Sequence, residues 1–296
     1  MNYYNEIKQE LINNEVYKKV KDYSKNRSEL NTYYNVGKLL NDAGKHYGEG
    51  IINNYSIKLI NEVGNKYNIT NLKRMRQFYI MIEKGATLSH QLLWSHYVEL
   101  LPIKDINKTN YYIEICEKYN LSIRDLRIKI KNKEYERLDN NTKDKLINNE
   151  VKKVSDFIKN PILIKNSSNY IQISEKLLKQ LILEDMKSFL KELGNGFTYI
   201  SDEYKIKIGD RYNYIDLLLF NYEYNCFVVV ELKVTELKKE HIGQIQTYMN
   251  YIDKNIRKIT QDKTIGIIIC KKDNKFIMEY CSDDRILSRT YELCKE

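Results

Sequence analysis

Asp216, Glu231 and Lys233 are the residues whose types and spacing could do chemistry together. Residues 212–220 and 226–234 are apolar, β-branched or aromatic runs without Pro or Gly. Between them lies the polar stretch Asn221-Tyr222-Glu223-Tyr224-Asn225. Two such runs around a short polar stretch read as a β-hairpin. A turn centred between Glu223 and Tyr224 sets Asp216 opposite Glu231, with Cβ atoms roughly 5 Å apart. Like charges so placed repel unless a cation lies between them. Mg²⁺ is such a cation, because one or two carboxylates with waters and substrate phosphates suffice to hold it.

Lys233 lies two residues beyond Glu231, so both side chains take the same strand face and Leu232 the other. An ammonium beside a cation site can promote loss of a proton from water or stabilise charge building on a phosphate. A solvated strand end would also carry these residues. In a chain that is 30% charged, Glu-x-Lys is common, and Glu203-Tyr204-Lys205 is a second instance.

The surrounding elements must position these groups. Residues 199–208 alternate enough to read as a strand that turns at Gly209-Asp210 into the hairpin. Residues 238–254 have helical periodicity, with Gln244 and Tyr248 four apart on one face and Gly243 placed to let the helix lie close to a sheet. Thr264–Cys270 is a β-branched run that suits a buried strand. Strand, helix and strand then form a βαβ unit with parallel strands and a right-handed crossover. Residues 276–281 and 286–291 are expected to add further strands to a mixed sheet. Ahead of them all, residues 173–193 form one amphipathic stripe ended by Gly194, with Glu175, Glu184 and Asp185 as its acids.

Asp216 followed by Glu231-Leu232-Lys233 resembles the (P)D…(D/E)xK signature of the PDDEXK nuclease superfamily. The flanking blocks GNGFTYI (194–200), YIDLLLF (214–220), VVVELK (228–233) and GQIQTYMNYID (243–253) resemble its YhcG-like branch, a helical domain followed by a nuclease domain. The likeness is strongest over residues 170–290. It implies an α/β restriction-endonuclease-like fold and a metal held by Asp216, Glu231, the Leu232 carbonyl and an acid of the first helix. Glu184 is the candidate for that acid, although the family's own acid aligns nearer Lys179. It also implies that Gln244 and Tyr248 help hold the site or the phosphate. Mg²⁺ or Mn²⁺ is the expected cofactor and DNA the expected substrate, with RNA on the same core as an alternative. Staggered cuts in two strands would require a homodimer. A binding module that keeps the fold without cleaving is the rival.

The N-terminal half reads as all-α. Helices are expected over residues 3–26, 29–44 and 51–63, and a fourth is expected after Thr70 as N-cap. The last two could form a helix-turn-helix, with Lys73, Arg74, Arg76 and Gln77 on the recognition helix. A plain helical hairpin with a basic solvated face reads the same way. The RMRQFY block at 74–79 also resembles the YhcG-like branch. Further helices are expected over 105–119 and 122–138. The second of these is the most basic stretch, and its Arg124 and Arg127 could track a phosphate backbone. His96, beside Trp94 and Tyr97, reads as a structural group. Residues 139–172 read as a polar connector, and turn signals there set the domains at 1–165 and 166–296.

A net charge of +9 over 296 residues favours an anionic partner, nucleic acid first. The five cysteines form no CxxC or Cys/His ligand spacing, which suits a reducing compartment. No apolar signal core and no run of 18 apolar residues is present, so a cytoplasmic location away from membranes is expected.

Overall fold

The structure, a computed structural model, describes residues 3–19, 25–148, 150, 153–281 and 283–295. The chain divides into two compact units, residues 1–135 and 136–296.

The first unit is helical: α1 (Tyr3–Lys19), α2 (Lys25–Tyr47), α3 (Ile51–Glu62), α4 (Ile69–Glu83), α5 (Trp94–Leu100), α6 (Ile106–Tyr119) and α7 (Ile123–Lys131). Ile7, Leu11, Leu30, Leu40, Leu59 and Leu72 are fully buried in its core. A Cβ on Gly37 would collide with the Met75 carbonyl oxygen, so glycine is what lets α2 and α4 approach. The helix expected over 3–26 is described as far as Lys19, and residues 20–24 lie outside the described residues. Asn68, not Thr70, caps α4, its side chain accepting the Asn71 amide at 3.1 Å. The helix expected over 122–138 ends at Lys131. Lys133 turns into the left-handed region (φ 52°), and Glu134 folds back to accept from the Lys129 ammonium and the buried Tyr111 hydroxyl.

The second unit contains α8 (Asn140–Ile147), β1 (Ile162–Lys165), α9 (Glu175–Glu184), α10 (Met186–Leu193), β2 (Phe197–Ile208), β3 (Arg211–Asn221), β4 (Cys226–Glu236), α11 (Lys239–Asn255), β5 (Asp262–Lys272), α12 (Lys275–Cys281) and β6 (Ile286–Cys294). Its six-stranded sheet has the order β1-β6-β5-β4-β3-β2. β2, β3 and β4 are antiparallel neighbours, and β4, β5, β6 and β1 pair in parallel. The expected mixed sheet and parallel βαβ unit are both present. One face packs Leu217, Leu219, Val228, Val230 and Leu232 against α9 and α10; the other packs Ile215, Leu218, Val229 and Ile268 against α11.

Four further details differ from the sequence expectations. The division falls at Tyr135/Glu136, well ahead of residue 165, because the polar connector is tied into the second unit. There β1 pairs with β6, Arg137 bonds Glu192 and the Pro161 carbonyl, and Arg289 donates to Ile158 and Asp139. The single helix expected over 173–193 breaks at Asp185, whose carboxylate accepts the Ser188 amide and starts α10. Residues 276–281 are helical, not a strand, with Asn274 accepting the Ile277 amide and Phe276 and Tyr280 largely exposed. The glycine under α11 is Gly266 of β5, where a Cβ would meet Met249 and Ile245 at 2.6–2.8 Å; nothing lies near Gly243.

Candidate active site

β3 and β4 pair regularly from Asn221↔Cys226 to Leu217↔Val230. The register continues to Asp216 opposite Glu231, but there side chains take over from the backbone ladder. The Asp216 amide points to Glu231 Oε1 at 3.4 Å, and Asp216 Oδ2 accepts the Leu232 amide at 2.9 Å. The two acids therefore sit where the strands part, at the mouth of a buried hairpin. On the other side of β3, Asp202↔Leu217 and Tyr204↔Ile215 bracket Glu203, which takes a left-handed φ of 44° opposite Asp216.

Glu231 is 1% exposed. Burial, reinforced by the Asp216 charge, pushes its carboxyl up to about 7, against the pull of Lys233. Lys233 Nζ donates to Glu231 Oε2 at 3.2 Å. Burial works against the Lys233 ammonium, but the charges of Glu231, Glu175 and Asp216 outweigh it and raise its pKa. A buried carboxylate set against a second, partly exposed one is a fit for a hard cation with oxygen ligands. Among the described residues, no group of three or more His, Cys, Asp or Glu side chains is assembled for a metal. The two-carboxylate set suits Mg²⁺ or Mn²⁺, which take their remaining ligands from water and phosphate, better than a closed structural site.

Two helices bring further groups. On α9, the Lys179 ammonium reaches Glu203 at 2.6 Å and stands 3.9 Å from Asp216 Oδ1. One turn earlier, Glu175 is close enough for its charge to act on both Lys233 and His241. Glu184 lies at the far end of α9, exposed and accepting from Gln180 at 2.8 Å. Glu175 is therefore the α9 acid whose charge reaches Lys233 and His241, while Glu184 is bonded to Gln180. On α11, Gln244 donates to the Tyr248 hydroxyl at 3.1 Å. Tyr248 is buried, its pKa is raised by that burial, and the charges of Glu231, Lys233 and Asp216 reach it. His241 shares this face; its Nδ1 accepts the Lys238 amide at 3.2 Å, and burial and Lys233 lower its pKa.

The sequence reading missed Lys179, Glu203 and His241. The family alignment nearer Lys179 pointed at the first of these. His241, three residues before Gln244, was available as a helical-face neighbour. Glu203 had no local signal, since strand pairing alone sets it opposite Asp216.

The basic residues of the first unit differ in how they are partnered, and the charges of Arg74 and Arg127 both reach Glu99. Arg76 is committed within the fold, to Glu49 and, at 3.4 Å, to Asn41. Arg74 donates to Asn71 at 3.3 Å. Lys73 and Gln77 are exposed. Arg127 pairs with Glu99 at 2.6 Å, and Arg124 is exposed. His96 is structural, as expected: Nδ1 accepts the Leu93 amide and Nε2 bonds the Leu121 carbonyl at 3.0 Å.

Comparison with known proteins bears on both units. Residues 155–293 match the family described as the YhcG PDDEXK nuclease domain, and residues 7–137 the DUF1016 N-terminal domain. A curated relative, "Putative nuclease YhcG" of Escherichia coli (strain K12), is 23% identical over 283 residues, covering 81% of this chain and 76% of its own. Among solved structures, a repair endonuclease from Pyrococcus abyssi is similar at 20% identity, covering 41% of this chain and 48% of its own, with a TM-score of 0.29. An EndoMS–dsDNA complex matches at 20% identity, 41% and 47% coverage and a TM-score of 0.30. This chain thus spans about half the length of those solved chains. No described helix is long and apolar enough to cross a membrane.

Proposed function

Starting from a chain that joins a DUF1016 N-terminal domain to a YhcG PDDEXK nuclease domain, we propose that it is a Mg²⁺- or Mn²⁺-dependent nuclease that hydrolyses phosphodiester bonds in DNA. The observation that carries this is the buried Glu231 carboxylate, set against Asp216 where two strands part and touched by the Lys233 ammonium. Asp216, Glu231 and the Leu232 carbonyl would hold the metal. When bound, the ion would polarise the phosphate and lower the pKa of water. Lys233 would stabilise charge developing on the phosphate or hold the attacking water in place. Lys179, anchored by Glu203, would present a second ammonium to a phosphate oxygen beside Asp216. Gln244 and Tyr248 would complete the polar wall.

The basic chain favours the polyanionic substrate. In the first unit, Lys73, Gln77 and Arg124 are the exposed candidates for backbone contact, whereas Arg76 and Arg127 would first have to leave their carboxylate partners. A soluble cytoplasmic enzyme, acting as a homodimer when both strands are cut, completes this proposal.

The test is cleavage of labelled single-stranded and duplex DNA by the purified full chain with Mg²⁺, Mn²⁺ or EDTA, beside Asp216→Ala and Lys233→Ala. The expected result is metal-dependent cleavage reduced by about 10²-fold or more in each variant. Equal cleavage by variants and wild type, or DNA binding without cleavage under any metal, would overturn the proposal.

A further inference from the structure

The β2–β3 hairpin runs on past the point where β4 stops pairing with β3. β4 pairs no further than Leu217, whereas β2 and β3 remain paired through Lys205↔Tyr214, Ile206↔Asn213, Lys207↔Tyr212 and Ile208↔Arg211. The result is a two-stranded ribbon that starts at the Asp216 register and leaves the sheet. Its two faces differ. Ile206 and Ile215 are buried against the α11 side of the sheet. On the opposite face Tyr212 and Tyr214 are 56% and 52% exposed, with Lys205 and Lys207 exposed beside them. The Lys205 ammonium lies 3.9 Å from the Tyr212 ring centroid and that of Lys207 lies 5.9 Å away.

A pair of exposed tyrosines interleaved with two lysines is a poor arrangement for a solvated strand face. Aromatic area is left in water, and two ammonium groups are crowded onto one ring. It suits a strand of nucleic acid. An exposed ring can stack on a base regardless of sequence, and a flanking ammonium can meet the next phosphate. A duplex hides its base faces in the stack, so the rings have nothing to stack on. Tyr214 is two residues from Asp216 along β3, so a strand laid along this face reaches the end of the ribbon that carries Asp216.

We propose that this ribbon is a guide for an unpaired DNA strand, stacked on Tyr212 and Tyr214 and held by Lys205 and Lys207 as it enters the site. The substrate class is accordingly DNA with a single-stranded segment at the cleaved position: a flap, a splayed end or a free strand. The inference rests on the nuclease assignment, but its test does not require cleavage.

Affinity of the full chain for a labelled single strand and for the matching duplex is measured by fluorescence anisotropy in EDTA. The proteins are wild type, Tyr212→Ala/Tyr214→Ala, Tyr212→Phe/Tyr214→Phe and Lys205→Ala/Lys207→Ala. The tyrosine-to-alanine pair is expected to weaken single-strand binding by roughly tenfold or more, the order expected when base–aromatic stacking is removed, and duplex binding less than threefold. The phenylalanine pair should stay within about twofold of wild type, because its ring still stacks. The lysine pair should flatten the salt dependence of single-strand binding by a slope of about 1.4, or roughly 0.7 for each phosphate no longer neutralised. Equal weakening on single strand and duplex, or unchanged single-strand affinity in a tyrosine-to-alanine protein whose circular dichroism and melting match wild type, would overturn the guide. Absence of cleavage alongside the expected binding pattern would refute the nuclease assignment and leave the guide standing.

Discussion

The mouth of the β3–β4 hairpin and the basic helices of the first unit use charge in opposite ways. On α4 and α7 the arginines that stand out in the sequence are largely settled: Arg76 on Glu49 and Asn41, Arg127 on Glu99. Each of these two cations has its carboxylate. At the hairpin mouth, two acids converge with burial against them, and the lysines beside them are shared among several carboxylates. Charge density along a sequence therefore says little about chemistry. What matters is whether a charge is left with a deficit that a ligand can meet. Arg76 and Arg127 are met by carboxylates of the first unit, whereas in the second unit the buried Glu231 carboxyl is set against the charge of Asp216.

Replacing either side of this contrast should give unequal effects. Glu231→Ala should reduce metal-dependent cleavage by about 10³-fold, while Arg76→Ala and Arg127→Ala stay within about threefold in the same assay, because their guanidinium groups serve the fold. A comparable loss in the arginine variants would erase the distinction.

The buried Glu231 carboxyl should also appear as pH-dependent stability. The folded Glu231 carboxyl holds its proton up to about pH 7, while its ordinary value is 4.5. Between these values the folded state carries more protons than the unfolded state, so metal-free protein should lose stability as pH rises. The loss is on the order of 3 kcal/mol. Melting scans in EDTA from pH 4.5 to 8 would show it, Glu231→Gln would flatten it, and Mg²⁺ should restore stability more at pH 8 than at pH 5. A flat EDTA profile in wild type would mean that the pair is already compensated.

In the first unit the corresponding experiment removes a settled charge. Glu134→Ala strands the buried Tyr111 hydroxyl and the Lys129 ammonium together. It should lower that unit's stability by about 2–3 kcal/mol in urea titration, with no pH step near 7. Gly266→Ala drives a methyl into Met249 and Ile245. It should cost about 1–3 kcal/mol and displace the helix that carries Gln244 and Tyr248, so cleavage should fall along with stability.

The smallest contrast lies within α9. Glu175→Gln should shift the pH profile of cleavage, since its charge acts on Lys233 and His241. Glu184→Gln should leave the profile unchanged, because its carboxylate meets Gln180 away from the site. The reverse result would restore Glu184 as the first-helix acid.

Some of this was legible from sequence because it depends on local periodicity. Two apolar runs at residues 212–220 and 226–234, with a short polar turn centred between them, were enough to set the hairpin register that opposes Asp216 and Glu231. The helix over Lys239–Asn255 and the β-branched strand after it followed from their own patterns. Residues 162–165 and 276–281 did not follow. A four-residue strand exists only because β6 lies beside it, and a short apolar run with no strand neighbour takes the helix that Asn274 starts.

What the sequence determined by itself was a two-part chain, helical and then α/β, with a pair of acids and a lysine held in register by two apolar runs around a short turn. Which other groups meet them was decided only by the tertiary structure. Lys179 and Glu175 arrive on a helix packed across the sheet, Glu203 on a strand paired from the other side, and His241 on the first turn of α11. None of these is near Asp216 in sequence. Contacts of that kind are set by which faces bury apolar area together, and side-chain order along a chain carries no record of that until the faces have packed.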